Sequence, residues 1–124
     1  MSATEITVQN VVGYTGVTPT YENIDASDGN VFDNDGSILL HVRNNSGQAM
    51  NVVVDSLKNC DQGTNHDITV AIANGAEKFI GPFSQGRFND GSGQVGITYT
   101  GAGIGGTDPG ATVAAFKVWS TPLA

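Results

Sequence analysis

Cys60-Asp61 and His66-Asp67 bring a thiol, an imidazole and carboxylates into one short stretch, the one place in this chain where a nucleophile and a base lie close in sequence. A catalytic cysteine needs its thiolate stabilised by a neighbouring imidazole, and a zinc site needs about three or four such ligands. The chain has one cysteine and two histidines. The second histidine, His41, stands between Leu40 and Val42, and nothing in the sequence directs it toward Cys60. A Gly-flanked nucleophile turn, a phosphate-binding Gly-x-x-x-x-Gly-Lys, a dinucleotide fingerprint and a pair of catalytic carboxylates on a recognisable scaffold are all missing. The sequence therefore nominates no catalytic, cofactor-binding or metal-ligating residue, and the expectation is a protein that is not an enzyme. His66-Asp67 reads as the polar start of the next strand.

The segment Glu22–Gly36 is dense in hard oxygen donors, with Asp25, Asp28, Asp33 and Asp35 as the carboxylates. Calcium takes six to eight such oxygens. The spacing does not match the helix-flanked calcium loop, however, and its closing glutamate is absent. Asp, Asn and Gly are also the residues that turns select, and turn chemistry is the expectation for this loop.

Gly81-Pro82-Phe83 followed by Arg87-Phe88-Asn89-Asp90 carries a different signal. The proline ends the preceding strand, and two phenylalanines flank an arginine. Aromatic residues and arginine are enriched at protein–protein contacts, which makes Phe83, Arg87 and Phe88 candidate interface residues. The competing reading is the ordinary one for aromatics in a small domain, that both rings cap the open end of the core.

The elements that must position these residues are strands. Apolar residues recur with a period of two, most clearly over Asp67–Ala73, where Ile68, Val70 and Ile72 share one side. The same pattern marks Ile38–Arg43, Val52–Ser56, Val95–Thr100 and Thr112–Trp119, and more weakly Ile6–Val12, Val17–Tyr21 and Lys78–Gly81. Thr112–Trp119 is apolar on both faces, as a central strand would be. Turn clusters separate the strands, and Asn74-Gly75 suits a type I′ hairpin that would pair Ile68–Ala73 with Lys78–Gly81. Glu22–Gly36, Leu57–His66 and Gly101–Gly110 read as loops longer than a hairpin needs. The expected fold is all-β: a single-domain antiparallel β-sandwich over residues 1–124, jelly-roll-like, with about eight short strands and no helix, and with an extended N-terminal arm over about residues 1–12.

Composition agrees: 17 glycines and only 14% charged residues in 124 make a turn-rich β profile. One cysteine excludes a disulfide scaffold. No apolar run is long enough to span a bilayer as a helix, and Met1–Val12 lacks the pattern of a secretory signal, so neither a membrane nor export is expected. Five Lys/Arg against twelve Asp/Glu give a net charge of −7, which disfavours nucleic acid as a partner.

One resemblance goes further. Leu-His-Val-Arg-Asn-Asn-Ser-Gly at 40–47, Val-Val-Val-Asp-Ser at 52–56, Cys-Asp-Gln-Gly at 60–63, His-Asp-Ile-Thr-Val at 66–70, Ile-Gly-Pro-Phe at 80–83, Arg-Phe-Asn-Asp at 87–90 and Thr-Val-Ala-Ala at 112–115 resemble, in this order, a family of small head proteins of tailed bacteriophages. The resemblance implies a decoration, or cement, protein. Such a protein is made in the host cytoplasm and binds the outer surface of the expanded head, often as a homo-trimer, bracing neighbouring copies of the major capsid protein. A −7 chain suits the solvent side of a DNA-filled shell. The alternatives are a tail-tip or head-completion component, and a calcium-assisted carbohydrate-binding module with Tyr14, Tyr21 and Phe32 as its aromatic platform. The Glu22–Gly36 and Gly101–Gly110 segments match no part of the family pattern.

Overall fold

The computed structural model describes residues 3–11, 16–56, 67–101 and 110–118. Ten strands and one single-turn helix account for most of them: β1 (Thr4–Glu5), β2 (Val8–Val11), β3 (Glu22–Asn23), β4 (Asn30–Asp33), β5 (Ile38–Asn44), β6 (Met50–Val54), β7 (Ile68–Ile72), β8 (Glu77–Ile80), α1 (Gln85–Phe88), β9 (Gln94–Thr100) and β10 (Ala111–Val118). The first sheet, A, runs β1-β4-β9-β6-β7, and the second, B, runs β2-β10-β5-β8 with β3 also on β10. Inward side chains alternate along the long strands: Ile38, Leu40 and Val42 in β5, Met50, Val52 and Val54 in β6, Val95, Ile97 and Tyr99 in β9 are buried between the sheets.

The antiparallel pairs are nested. β3 pairs β10, β4 pairs β9, β5 pairs β8 and β6 pairs β7, so each pair encloses the next in sequence. Successive pairs fall in opposite sheets, which is the order produced by rolling one long hairpin into a sandwich, the jelly roll. As its two-sided apolar pattern requires, β10 is central, with β5 on one edge and β2 and β3 sharing the other.

Six expectations need correction, the sixth at Asn74-Gly75. The sheets are mixed: β1 lies parallel to β4 and β2 parallel to β10. Residues 3–11 are therefore part of the sandwich body and not an extended arm, and Ile6, 2% exposed, is buried where the chain passes from sheet A to sheet B. Glu22–Gly36 is not one long loop, because β3 and β4 lie within it and Phe32 points into the core; β4 is too short, and too closely flanked by turn residues, for its alternation to register. Val17–Tyr21 forms no strand and instead lies on the outer face of sheet B. Finally, Gln85–Phe88 makes one helical turn.

Asn74-Gly75 does not close a hairpin. Gly75 has φ 81° but no non-glycine residue among the described ones has positive φ, so the turn has the φ pattern of type II, not type I′, and sends β7 and β8 into different sheets. Asn44 fixes that corner. Its backbone accepts from the Gly75 N–H and donates to the Ala76 carbonyl. Its wholly buried side chain donates to the carbonyls of Gln48 (2.8 Å) and Ile72 (3.0 Å) and accepts from Ser46.

Candidate binding face

Phe83 and Phe88 are 2% and 4% exposed and cap the end of the core. Phe83 lies 5.5 Å from the Phe32 ring and packs edge-on against Phe88 at 5.7 Å. Of the three candidate interface residues only Arg87 is exposed; its guanidinium lies over the Phe88 ring at 4.9 Å, with Nε donating to Ser56 Oγ. A loop with aromatics at this spacing can present them outward or turn them inward, and here both rings turn inward, Phe83 against Phe32. Asn34 and Asn89 lock the loop: Asn34 Nδ2 donates to the Phe83 carbonyl and to Asn89 Oδ1, and Asn89 Nδ2 donates back to the Asn34 carbonyl.

Three of the four aspartates of the 22–36 segment, Asp25, Asp33 and Asp35, point to separate partners. Asp25 accepts the N–H groups of Ser27 and Asp28 and the Thr4 hydroxyl, and the Asp28 N–H leads in holding its carboxyl below the usual range. Asp33 accepts from Gln94, while Asp35 accepts from Ser37 and Lys117. Among the described residues no three His, Cys, Asp or Glu side chains converge. The aromatic platform fails as well, since Phe32 is wholly buried on the core face of β4; Tyr14, Cys60 and His66 lie outside the described residues.

What sequence reasoning missed is the outer face of sheet B. Leu39, His41 and Arg43 of β5 point outward, opposite Phe116, Ala114 and Thr112 of β10 and beside Phe79 and Glu77 of β8. Gln9 of β2 clamps the crossing segment 16–21 onto this face, donating to the Thr20 carbonyl at 2.7 Å and accepting its N–H at 2.8 Å. Tyr21 follows and is held on three sides. Its hydroxyl is hydrogen-bonded to His41 Nδ1 at 2.6 Å, its ring meets Phe116 edge-on at 6.4 Å, and Arg43 Cζ lies 4.1 Å above it. The other ring nitrogen of His41, Nε2, donates to Glu77 Oε1 at 3.0 Å, a carboxylate that can only accept. Phe79 stacks on the His41 ring at 4.2 Å.

His41, 5% exposed, thus sets both Tyr21 and Phe79, the walls of an open apolar groove of about 260 Å³ floored by Leu39 and Phe116 and bounded by Val11, Val17 and Pro19. Val17 and Phe79 are the only large hydrophobic side chains exposed among the described residues, at 40% and 65%, and both line this groove. The signal was present in sequence as the outward alternate positions of β5 and β8, His41 and Phe79, but it needs their register to be seen. At the β2–β3 gap, Glu22 borders a second cavity with Ile6, Gln9 and Val113, and burial pushes its carboxyl up.

The outer face of sheet A is the opposite in character. Thr98 and Thr100 of β9, Asn51 of β6 and Thr69 of β7 give it a hydroxyl and amide surface, with Glu5, Asp33 and Gln94 at one side. Of the ten described carboxylates, Glu5, Asp33, Asp55, Asp67 and Asp90 lie in strands of sheet A or directly next to them, whereas Asp25, Asp28 and Asp35 lie in turns that cross between the sheets, and Asp35 pairs with Lys117 of β10.

The chain matches no protein-family model, no curated protein and no solved structure.

Proposed function

We propose that this chain is a cement protein of a tailed-bacteriophage head, a binding module without catalysis that sits on the outside of the expanded shell and braces neighbouring major capsid subunits, acting as a homo-trimer. The observation that supports this reading is that, among the described residues, those bearing the family resemblance are ones that build this jelly roll. Asn44 pins the β7–β8 corner, Phe83 and Phe88 cap the core, Asn89 locks to Asn34, and Asp90 closes the turn into β9 through the N–H groups of Ser92 and Gln94. Motifs spent on the fold support a likeness in architecture to the head proteins that the sequence resembles. A small module of this kind gains avidity when several copies engage a symmetric shell, and stabilises the shell by mass action if it prefers the expanded form.

The test is binding of the purified chain to expanded heads assembled without it and to unexpanded procapsids. Selective binding to expanded heads, in numbers comparable to the capsid protein, is the expected result. Absence of binding to either would overturn the reading, and a few copies per particle would point instead to the tail tip or a head-completion role.

A further inference from the structure

We infer that the cavity at the β2–β3 gap is a binding site for a primary ammonium group on a short alkyl chain, held by Glu22. Two strands share one edge of β10: β2 covers Ala115–Val118 and β3 covers Thr112 and Val113. Where they meet, a doorway of about 290 Å³ opens, lined by Ile6, Thr7, Gln9, Thr20, Glu22 and Val113. Glu22 stands opposite Val113, which is wholly buried, so the carboxylate points between the sheets while Tyr21 before it lies on the outer face. An inward carboxylate is costly unless a donor meets it, yet Glu22 Oε1 is enclosed and no donor among the described residues reaches it. No described lysine or arginine offsets the charge either, and burial acts on the carboxyl alone, pushing it up. The charge is felt across the gap: burial first, then Glu22 and Asp25, hold the Tyr99 hydroxyl of β9 far above its usual range.

The lining selects the ligand. A carboxylate without a donor calls for a group that is both positive and donating, and an ammonium meets it with charge-assisted hydrogen bonds. Ile6 and Val113, both buried, offer apolar contact to a carbon chain. The volume lies at the lower limit of the ~300 to 1,000 Å³ of small-molecule sites, which suits a few methylenes. A divalent metal ion fits less well, because it takes about six or more oxygens and Glu22 is the one carboxylate among the described residues that line the cavity. Asp25 is turned to its own loop and to the Thr4 hydroxyl. Ligand and proton compete for Glu22. Its folded value lies above the ordinary 4.5, so its contribution to the stability of the empty chain is full below 4.5 and is lost as pH rises through the folded value. The ammonium needs the ionised form and loses affinity as pH falls through that same value. Asp25 and Tyr99 are the titratable groups that face Glu22 among the described residues, since β10 and the β1–β2 segment present Val113, Ile6, Thr7 and Gln9.

The experiment uses the full chain with n-butylammonium chloride, set against NaCl at equal ionic strength and against n-butanol, which keeps the carbon chain and drops the charge. Butylammonium is expected to raise Tm saturably at pH 7 and to shift the amide NMR signals of Thr7, Thr20, Glu22 and Val113, with neither control doing so. Glu22→Gln, of the same shape without the charge, is expected to weaken binding by about tenfold or more once melting curves show that it folds. Glu5→Gln, which removes an exposed carboxylate elsewhere, stays within about twofold of the parent. The parent's pH profile needs no variant: binding fades on acidification while the pH is still above 4.5. Nα-acetyl-lysine N-methylamide carries the same ammonium on a peptide stem. Its binding through Glu22 would name a lysine side chain of another protein as the source, and its exclusion while butylammonium binds would name a free amine. No saturable effect of butylammonium would overturn the inference and leave Glu22 to water, and so would equal binding by Glu22→Gln. A rise in Tm with CaCl₂ matching that with butylammonium would overturn the choice of ammonium. None of these outcomes involves heads, so the cement reading stands or falls separately.

Discussion

Asn44→Ala tests the corner that joins the two sheets. The substitution removes four side-chain hydrogen bonds, two donated to the Gln48 and Ile72 carbonyls and two accepted from Ser46. Ser46 and Gln48 are open enough for water to replace the side chain, so each lost bond there costs about 0.5 kcal/mol, whereas the Ile72 carbonyl in its wholly buried setting loses a partner at about 1 to 2 kcal/mol. The sum is roughly 3 kcal/mol, and with an unfolding entropy of about 2.1 cal/mol/K per residue this corresponds to a Tm lower by about 12 °C. Asn44→Asp keeps both acceptor bonds but sets an oxygen against two carbonyl oxygens. That carboxyl is favoured in its protonated form in the folded state, so its folded pKa lies above the unfolded value. The variant is therefore most stable below about pH 4 relative to the parent, and loses ground as pH rises through the raised value. Thermal unfolding followed by circular dichroism, at pH 7 and pH 5, reads both effects. A drop of less than about 1 kcal/mol for Asn44→Ala, or an Asn44→Asp variant as stable as the parent at pH 7, would refute the account of the corner.

Other substitutions probe the remaining parts. Phe83→Ala should cost about 3 to 5 kcal/mol in denaturant melts and Arg87→Ala less than about 1, because the first ring is core and the second side chain is on the surface; equal costs would contradict the burial. Gly29 has φ 80° and a Cβ there would stand 2.4 Å from the Ile97 carbonyl oxygen, so Gly29→Ala should destabilise by about 2 kcal/mol or more, checked by the same melts. Lys117, through its hydrogen bond, and then Ser37 lower the Asp35 carboxyl to about 2 from 3.8, so their stabilisation is complete above about pH 4 and is lost as pH falls toward 2. Lys117→Met should flatten that acid limb by less than about 1 kcal/mol, the pair being largely exposed, and an unchanged limb would count against the pairing. Tyr99→Phe removes the buried hydroxyl that donates to Asn30 Oδ1 at 2.7 Å and should cost about 1 to 2 kcal/mol; no loss would mean that the Asn30 network does not depend on it.

The long strands were legible because their burial is one-sided, or for β10 two-sided, and alternation reports that directly. The architecture was legible through their number and spacing. Three kinds of feature were not. β1, β3 and β4 are two to four residues long, too short for a period to show, and exist because longer strands offer them an edge. Asn74-Gly75 has the composition of a hairpin turn, yet the dipeptide does not select between types I′ and II; the contacts of Asn44, distant in sequence, do. Phe83 and Phe88 had two readings in sequence, and only their packing, Phe83 on Phe32 and Phe88 on Phe83, separates them. The groove was invisible for a related reason: His41, Tyr21, Phe79 and Gln9 come from four separate segments, and none is unusual until register brings them together.

Nesting also sets the order in which this molecule can form during synthesis. The innermost pair, β6 with β7, joins residues close in the chain, whereas the outermost, β3 with β10, joins Glu22 to Val113 and can close only when nearly all the described sequence is available. Loop-closure entropy rises outward from pair to pair, so the chain zips from its middle, and sheet B cannot be completed while β10 is still missing. The groove between Tyr21 and Phe79, whose floor includes Phe116 of β10, is thereby among the last features to appear. A nascent chain lacks this surface until its last described strand is in place, so the outer face of sheet B is completed together with the fold.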